Sequence, residues 1–419
     1  MRNIFLGMIC LSIFVSFQSC LNDSCTEART FVQYTPVYMT KAQFRTAIKS
    51  EPVRKLENPG KFYFYKTFLF INDQGVGIHV YDLKNESKPV KVGFYNIPGN
   101  FDIAIKENIL YADNVIDLVA LDISDISQPK VVNRIEDYKG QYINYDPLQY
   151  YAYAVKSDQT TILDCSDQNF SQETFVNGGV VFFDKSTAPN TSVISSTGSN
   201  TGVGGSFARF TVVNDYLYVV DQNSLKSYLV DNPEKPVLKH TNQLGWGIET
   251  IFPFKDKLFV GSNSGMYIFD NNRPETPVLQ SVFDHARACD PVVVDDNTAY
   301  VTLRDGNTCT GFTNQLDVID ITNVLNPKLI KSYPMKHPHG LSVYDKKLYL
   351  AEGVYGFKVL DVANPEKVNQ LGEVTGIHSY DMISLTQDRL FMIGEDGFYL
   401  YNVSDGKKPI LISTIKKNE

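Results

Sequence analysis

Read for its apolar and polar positions, the chain is a succession of short strands. Runs rich in Val, Ile, Leu, Tyr and Phe are separated by Asp, Asn, Gly and Pro, the pattern of strands joined by tight turns. One signature recurs: an apolar run ending in Asp or Asn, then a proline. The copies are Gly77 to Asp82 with Pro89, Asp117 to Asp122 with Pro129, Lys226 to Asp231 with Pro236, and Gly265 to Asp270 with Pro277. They continue with Leu316 to Asp320 with Pro327, Gly356 to Asp361 with Pro365, and Gly397 to Asn402 with Pro409. In five of these seven the proline falls seven residues after the Asp or Asn, so the spacing is a repeat and not chance.

Each copy has an upstream strand, such as Phe68-Leu-Phe-Ile, Ile109-Leu-Tyr-Ala or Lys347-Leu-Tyr-Leu. Most have another before it, such as Phe101-Asp-Ile-Ala-Ile, and a fourth follows the proline, as in Pro327-Lys-Leu-Ile. Four strands in about 40 residues is the period of a propeller blade. A lone four-stranded sheet cannot cover both of its apolar faces, and stacking such sheets around an axis buries them. The Asp predicts an Asx-type turn, and the proline sits where an outermost strand begins, a place that tolerates it.

Successive signature positions lie 40, 109, 39, 50, 41 and 41 residues apart. Within the long gap, Thr160-Thr-Ile-Leu-Asp164-Cys-Ser-Asp matches Leu118-Val-Ala-Leu-Asp122-Ile-Ser-Asp. This predicts a degenerate third blade over 139–203, with Gly179 to Asp184 as a rival signature and an insertion rich in Ser, Thr, Asn and Gly from Ser186 to Gly205. The expected fold is an all-β propeller of about eight four-stranded blades over 59–416. The alternative is seven blades with one long insertion.

The N-terminus reads differently. Met1-Arg-Asn, an apolar run from Ile4 to Phe17 and then Gln-Ser-Cys20 form an export signal. The apolar run is shorter than the roughly 20 residues that span a bilayer. Cys20 directly after Ser19 resembles a bacterial lipobox, with Phe17 departing from the usual Leu or Val. Lipidation of Cys20 is the expectation, with plain cleavage near Ser19 the alternative. Multiple acyl chains anchor stably where a single one is marginal. Residues 21–58 then read as a polar tether and a short helix in Thr40 to Glu51, with Thr40 as N-cap and Phe44, Ala47 and Ile48 on one face.

Composition narrows the partners. Hydrophobic residues make up 43% and aromatics 12%, enough for a large core, and the net charge is −8. With no basic stripe, nucleic acid is not an expected partner.

The repeat resembles the LVIVD-repeat family of bacterial propeller proteins. The nearest stretches are Leu316-Asp-Val-Ile-Asp-Ile-Thr and Asp117-Leu-Val-Ala-Leu-Asp-Ile-Ser. The likeness runs over about 60–416. It implies fold and an exported or lipid-anchored location, not a chemistry.

Of six cysteines, Cys10 leaves with the signal and Cys25 and Cys165 have no evident partner. Cys289 and Cys309 fall in one blade, the latter in an insertion (Asp305 to Asn314) that explains the 50-residue spacing. An exported location permits a disulfide there; free thiols are the alternative. No CxxC or clustered His spacing marks a metal site, and no cofactor is expected.

No phosphate loop, G-x-S-x-G or H-E-x-x-H occurs, and Gly202-Val-Gly-Gly-Ser reads as a hinge. Architecture supplies one constellation. The innermost strands begin near Asp102, Arg209, Glu249, Asp290, His339 and Asp381, which converge on one mouth of the central channel. Mixed charge and an imidazole there suit a cation, a polar ligand or a sugar, although water-filled mouths are polar in any case. His337-Pro-His339 has the spacing of a ligand pair, but Pro338 makes it a turn; Arg287 and Arg304 suit a carboxylate or ion pairs with Asp290 and Asp305.

The functional expectation is a non-catalytic binding or scaffold lipoprotein in the cell envelope, at the outer membrane, with a protein or glycan ligand. The alternative is a glycan-acting hydrolase or lyase using carboxylates at the channel mouth, since such enzymes need two carboxyls about 5–9.5 Å apart.

Overall fold

A computed structural model describes residues 26–138, 150–164, 174–177, 180–184, 203–206, 208–221, 223–284, 291–305 and 313–417. Seven antiparallel four-stranded blades follow one another along the chain. The innermost and outermost strands of blade 1 are Pro59–Tyr65 and Val90–Asn96; of blade 2, Ile103–Lys106 and Lys130–Ile135; of blade 3, Phe210–Val213 and Val237–Gln243; of blade 4, Ile248–Phe254 and Val278–Asp284. Blade 5 runs from Val292–Asp295 to Lys328–Pro334, blade 6 from Leu341–Tyr344 to Asn369–Val374, and blade 7 from Ser379–Thr386 to Ile410–Lys416. The third strand of each is the signature run, as expected from the sequence except that in blade 3 it ends at Leu229.

The blade number is seven, the alternative the sequence offered, and not eight. Blade 2 touches blade 3 directly: Lys106 Nζ reaches Asp215 and the Val230 carbonyl, both at 2.7 Å, and Tyr111 OH donates to the Pro233 carbonyl. Of the residues expected to form a blade between them, the described strands 150–164, 174–177 and 180–184 belong to another sheet. Asp164 ends a strand, Tyr150–Asp164, in a separate sheet with Thr26–Met39, Thr174–Asn177 and Val180–Asp184. There Phe31 to Tyr34 pair antiparallel with Asp184 to Val181. The likeness of Thr160–Asp164 to a signature run is therefore local. Contacts divide the chain into two compact units: Met1–Pro36 with Ala154–Ala188, and Val37–Tyr153 with Pro189–Glu419, which holds the seven blades.

The signature has a structural cause. Its Asp or Asn accepts the backbone N–H two residues on: Asp82 from Lys84, Asp122 from Ser124, Asp320 from Thr322, Asp361 from Ala363, Asn402 from Ser404. Three residues after it, a second Asx repeats the device, as Asp125 does with Ser127 and Asn364 with Glu366. In blade 3 the signature position is Leu229, not Asp231. Leu229 opposes Val237 as Asp122 opposes Lys130, and Pro236 then falls seven residues on. At the start of the third strand, Gly356 and Gly397 have φ of +83° and +135°, and a Cβ there would run into the Val374 and Ile415 carbonyls of the outermost strand.

This turn is also the seam between blades. Its carbonyl four residues after the signature position accepts a hydroxyl from the preceding blade: Ile126 from Tyr95, Pro233 from Tyr111, Pro274 from Tyr218, Val324 from Ser281, Pro365 from Tyr333 and Glu86 from Ser413. At the seam from blade 6 to blade 7 the donor is replaced by Gly372, where a Cβ would stand 2.5 Å from the Gly406 carbonyl oxygen. The ring thus closes from blade 7 to blade 1 by the same contact used elsewhere. Arg389–Glu86 at 2.6 Å and edge-packed Phe62 and Phe398 add to it. Apolar residues of neighbouring blades form the core between sheets, Leu69, Tyr111, Leu258, Val301, Leu348 and Met392 all being fully buried or within 1% of it.

A helix, α1 (Lys41–Ala47), precedes the blades, with Thr40 and Gln43 forming a reciprocal capping box. Phe44 packs with Val115 and Ile116 of blade 2. Arg45 and Arg134 both bind the fully buried Asp117, at 2.9 and 3.0 Å, holding that carboxyl below its usual range against the effect of burial. Lys49–Glu51 then adds to the outer edge of blade 1.

Candidate functional site

The innermost strands place charged residues around the ring axis. Asp102, before the first strand of blade 2, is 3% exposed. It pairs with Lys61 Nζ at 2.7 Å and also accepts the Arg209 backbone N–H and, at 2.8 Å, that of Ile103. Lys61, from blade 1, was not among the residues expected at the mouth. The spacing contains it: Lys61 lies seven residues before Phe68, as Asp102 does before Ile109 and Arg209 before Tyr216. Burial raises the Asp102 carboxyl, opposed by Lys61 and the Arg209 amide. Burial lowers the Lys61 ammonium despite Asp102, and the charge of Arg209 adds to the lowering.

Arg209 Nε donates to the Glu249 carbonyl at 3.3 Å. Burial raises the Glu249 carboxyl, with Arg209, Arg304 and Lys61 drawing it back. Arg304, at the end of the second strand of blade 5, is 7% exposed. Burial lowers it to about 10, opposed by Glu249. The structure therefore brings Lys61, Asp102, Arg209, Glu249 and Arg304 together, alternating in sign from blade 1 to blade 5. The five carry one net positive charge, and both carboxylates have basic neighbours, Asp102 in Lys61 and Glu249 in Arg209 and Arg304.

His339 continues the line in blade 6. Its ring, in contact with Arg304 Nη1, lies 3.2 Å from His337 Nδ1. Burial, then Arg304, His337 and His378, hold this imidazole well below its ordinary pKa. Gly353 lies close against the pair at His337 and His339: a Cβ on it would sit 2.9 Å from His339 Nε2 and 3.0 Å from His337 Nδ1. Among the described residues no group of three His, Cys, Asp or Glu can hold a metal ion. His378 and Tyr380 stack edge to face, and Tyr380 OH bonds Glu395. Asp381 is fully buried at the start of blade 7 beside Gly340. Asp290, Arg287, Cys20, Cys25, Cys165 and both members of the expected Cys289–Cys309 bridge lie outside the described residues.

One feature of the axis was not expected. Val203–Gly204 pair antiparallel with Phe64 and Tyr63 on the inner edge of blade 1. Ser206 Oγ accepts the Leu341 N–H of blade 6 at 3.2 Å, and the Ala208 carbonyl accepts the Ile251 N–H of blade 4 at 2.8 Å. The described residues 203, 204 and 206 thus meet the inner strands of blades 1 and 6, and Ala208, just before blade 3, meets that of blade 4. The sequence showed only a Gly-rich hinge there.

A family model for the LVIVD repeat matches residues 100–137, 204–241 and 287–334. These are blades 2, 3 and 5, each with the approach to its first strand. No curated protein matches the sequence. Solved structures similar to this chain include the computationally designed Ika8 protein, at 9% identity over 88% of this chain and 91% of that one, with a TM-score of 0.54. Hsv2p of Kluyveromyces lactis is similar at 11% identity over 87% and 99%, with a TM-score of 0.48. BamB from Moraxella catarrhalis is similar at 9% identity over 91% and 92%, with a TM-score of 0.47. At such identity the first likeness is one of fold alone. This chain is a seven-bladed β-propeller in which blades 2, 3 and 5 match the LVIVD repeat.

Proposed function

We propose that this chain is a non-catalytic binding or scaffold propeller, held to the bacterial cell envelope by a lipid on Cys20 and presenting its loops to a protein or glycan ligand. The observation that carries this reading is the state of the charges at the axis. Asp102 is spent on Lys61 and two backbone amides, and Val203 and Gly204 lie along the inner edge of the strand that carries Lys61. A catalytic carboxylate pair needs room for a substrate and, in inverting enzymes, a water between the two groups. Propellers serve both binding and catalysis, so the site and not the fold decides. The apolar run that ends at Cys20 is the support for the anchor.

Two measurements test the reading. Full-length protein expressed in a bacterium incorporates a labelled fatty acid and partitions with membranes, and Cys20→Ala abolishes both. Purified protein shows no turnover in a screen of glycan substrates. Hydrolysis or elimination that disappears in Glu249→Gln would establish an enzyme instead.

A further inference from the structure

We propose that the cleft between blade 7 and blade 1 is a docking site for an extended acidic peptide of a partner protein, which adds a strand to the outer edge of blade 7. The inference deepens the binding reading above and rests on it. The molecule carries its own precedent one seam away. Lys49–Glu51 pairs antiparallel with Phe94–Asn96 on the outer edge of blade 1. Asn96 Nδ2 donates to the Ala47 carbonyl at 2.8 Å, and Ser50 Oγ donates to the Ser127 carbonyl of the blade 2 turn at 2.9 Å. A short segment thus lies between the edge of one blade and the signature turn of the next, held as strand-addition domains hold a peptide. The seam from blade 7 to blade 1 repeats the frame. The pairing of third and fourth strands shifts at Val80/Tyr81 in blade 1 and at Leu400/Tyr401 in blade 7, so Thr414–Lys416 correspond to Phe94–Asn96. Ser87 follows Asp82 by five residues, as Ser127 follows Asp122. Among the described residues no segment adds to this edge, and a cleft of about 550 Å³ opens there, with Lys84, Glu86, Ser87, Arg389 and Ile412 in its lining. The edge is a template for pairing: Ile410 and Leu411 are 59% and 49% exposed, and no charge or proline blunts the strand before Lys416. The lining sets the chemistry. By register and repeat, Arg389 stands where blade 1 has Phe68, and Glu86 where the blade 2 turn has Ile126. Ile48, Phe68 and Ile126 all pack on one apolar core cluster, so the first seam takes an isoleucine. At the second, Lys84 and Arg389 outnumber Glu86, and the Lys84 side chain is 75% exposed, so a carboxylate takes that place.

The test uses the full chain and two fluorescent peptides of residues 46–53, one of native sequence and one with Ile48→Glu. The Ile48→Glu peptide should bind at least about tenfold more tightly than the native one, bind less tightly as salt is added, and slow hydrogen exchange at the amides of Thr414–Lys416. Glu86→Ile with Arg389→Phe copies the lining of the first seam and should reverse the preference. Should that variant fail to fold, Lys84→Ala, a change at an exposed side chain, should weaken the Ile48→Glu peptide by about threefold and leave the native peptide as it was. No binding of either peptide, or protection that appears anywhere but Thr414–Lys416, would overturn the site. Equal binding of the two peptides would overturn the acidic partner. Both results leave the binding reading intact, since the other loops remain to carry a ligand. Turnover in the glycan screen would do the reverse.

Discussion

The two ends of each blade solve the same problem differently. On the turn side, every seam is built around one carbonyl at one repeat position. Six seams give it a Tyr or Ser hydroxyl, and the seventh gives it the close approach of Gly372. At the axis, no two neighbouring blades contribute the same side chain: Lys61, Asp102, Arg209, Glu249, Arg304 and His339 follow one another. Repetition serves where every blade must dock on the next, and divergence is admitted where the blades meet as a group. The turn side therefore consists of interchangeable parts, whereas each axial residue depends on a particular neighbour.

The sharpest way to break that contrast is to remove an axial partner. Lys61→Met leaves Asp102 buried without its counter-charge, and breaking a buried pair this way costs about 3–5 kcal/mol. The Asp102 carboxyl is already raised by burial and rises further without Lys61. A carboxyl with a raised folded pKa binds protons more tightly in the folded state. The variant's deficit should then grow as the pH climbs above the unfolded value of about 3.9. Urea unfolding at pH 5 and pH 8 measures it. Lys61→Met with Asp102→Leu should recover most of the loss; a double variant as unstable as the single would show that the pair itself, not an orphaned charge, holds the axis.

Proton uptake at blade 6 should have the next largest effect. His339 is kept neutral by burial beside Arg304, while in the unfolded chain it titrates near its ordinary value of about 6.5. Its folded pKa is depressed, so stability is complete above about pH 6.5 and is lost as the pH falls below it, by at most about 1.4 kcal/mol per unit for one group. His337 and His378 are lowered in the same direction. His339→Gln should flatten part of this slope between pH 7 and pH 5, and an unaltered slope would remove His339 from the acid response.

Single seam hydroxyls should matter less, and alike. Tyr111→Phe and Ser413→Ala each delete one donor to a turn carbonyl and should cost about 0.5–1.5 kcal/mol, whether the seam joins blades 2 and 3 or closes the ring. Gly372→Ala instead pushes a methyl against the Gly406 carbonyl, for which about 1–3 kcal/mol is the expected cost of overpacking. A Ser413→Ala loss several times that of Tyr111→Phe would mean that closure is a special seam after all.

The same contrast explains what could be read from the chain beforehand. The turn side was legible because its chemistry is local: Asp122 caps an amide two residues away, and Pro129 stands seven residues on. Repeat arithmetic even contained Lys61, once the seven-residue offset from the second strand is applied to blade 1. The choice between eight blades and seven was not legible. Thr160–Asp164 carries a signature run, yet its sheet includes Phe31–Tyr34, more than a hundred residues away, and a strand's own sequence does not name so distant a partner. The residues around Gly204 were hidden for the opposite reason: glycines and a serine signal a hinge, and only the pairing of Gly204 with Tyr63 and the Ser206 hydroxyl on the Leu341 amide tie them to other blades.

The smallest expected effect makes the comparison clearest, because it repeats the first chemistry in another place. Lys346 binds Asp296 at 2.6 Å and Asp295 at 2.8 Å, distances that match the 2.7 Å of Lys61 and Asp102. The Asp296 side chain, however, is 68% exposed where that of Asp102 is 4%. Water and salt screen the outer pair, and an exposed ion pair contributes about 0–1 kcal/mol. Asp296→Asn should thus shift the urea midpoint little, and less still in high salt. The left-handed backbone at Asp296, φ 51°, suits Asn as well as Asp, so the substitution reports on charge alone. A double-mutant cycle on each pair compares identical groups at equal separation. If the coupling energies came out equal, burial would not be what distinguishes the axis from the rim; a coupling several-fold larger for Lys61 and Asp102 is what the difference in exposure requires.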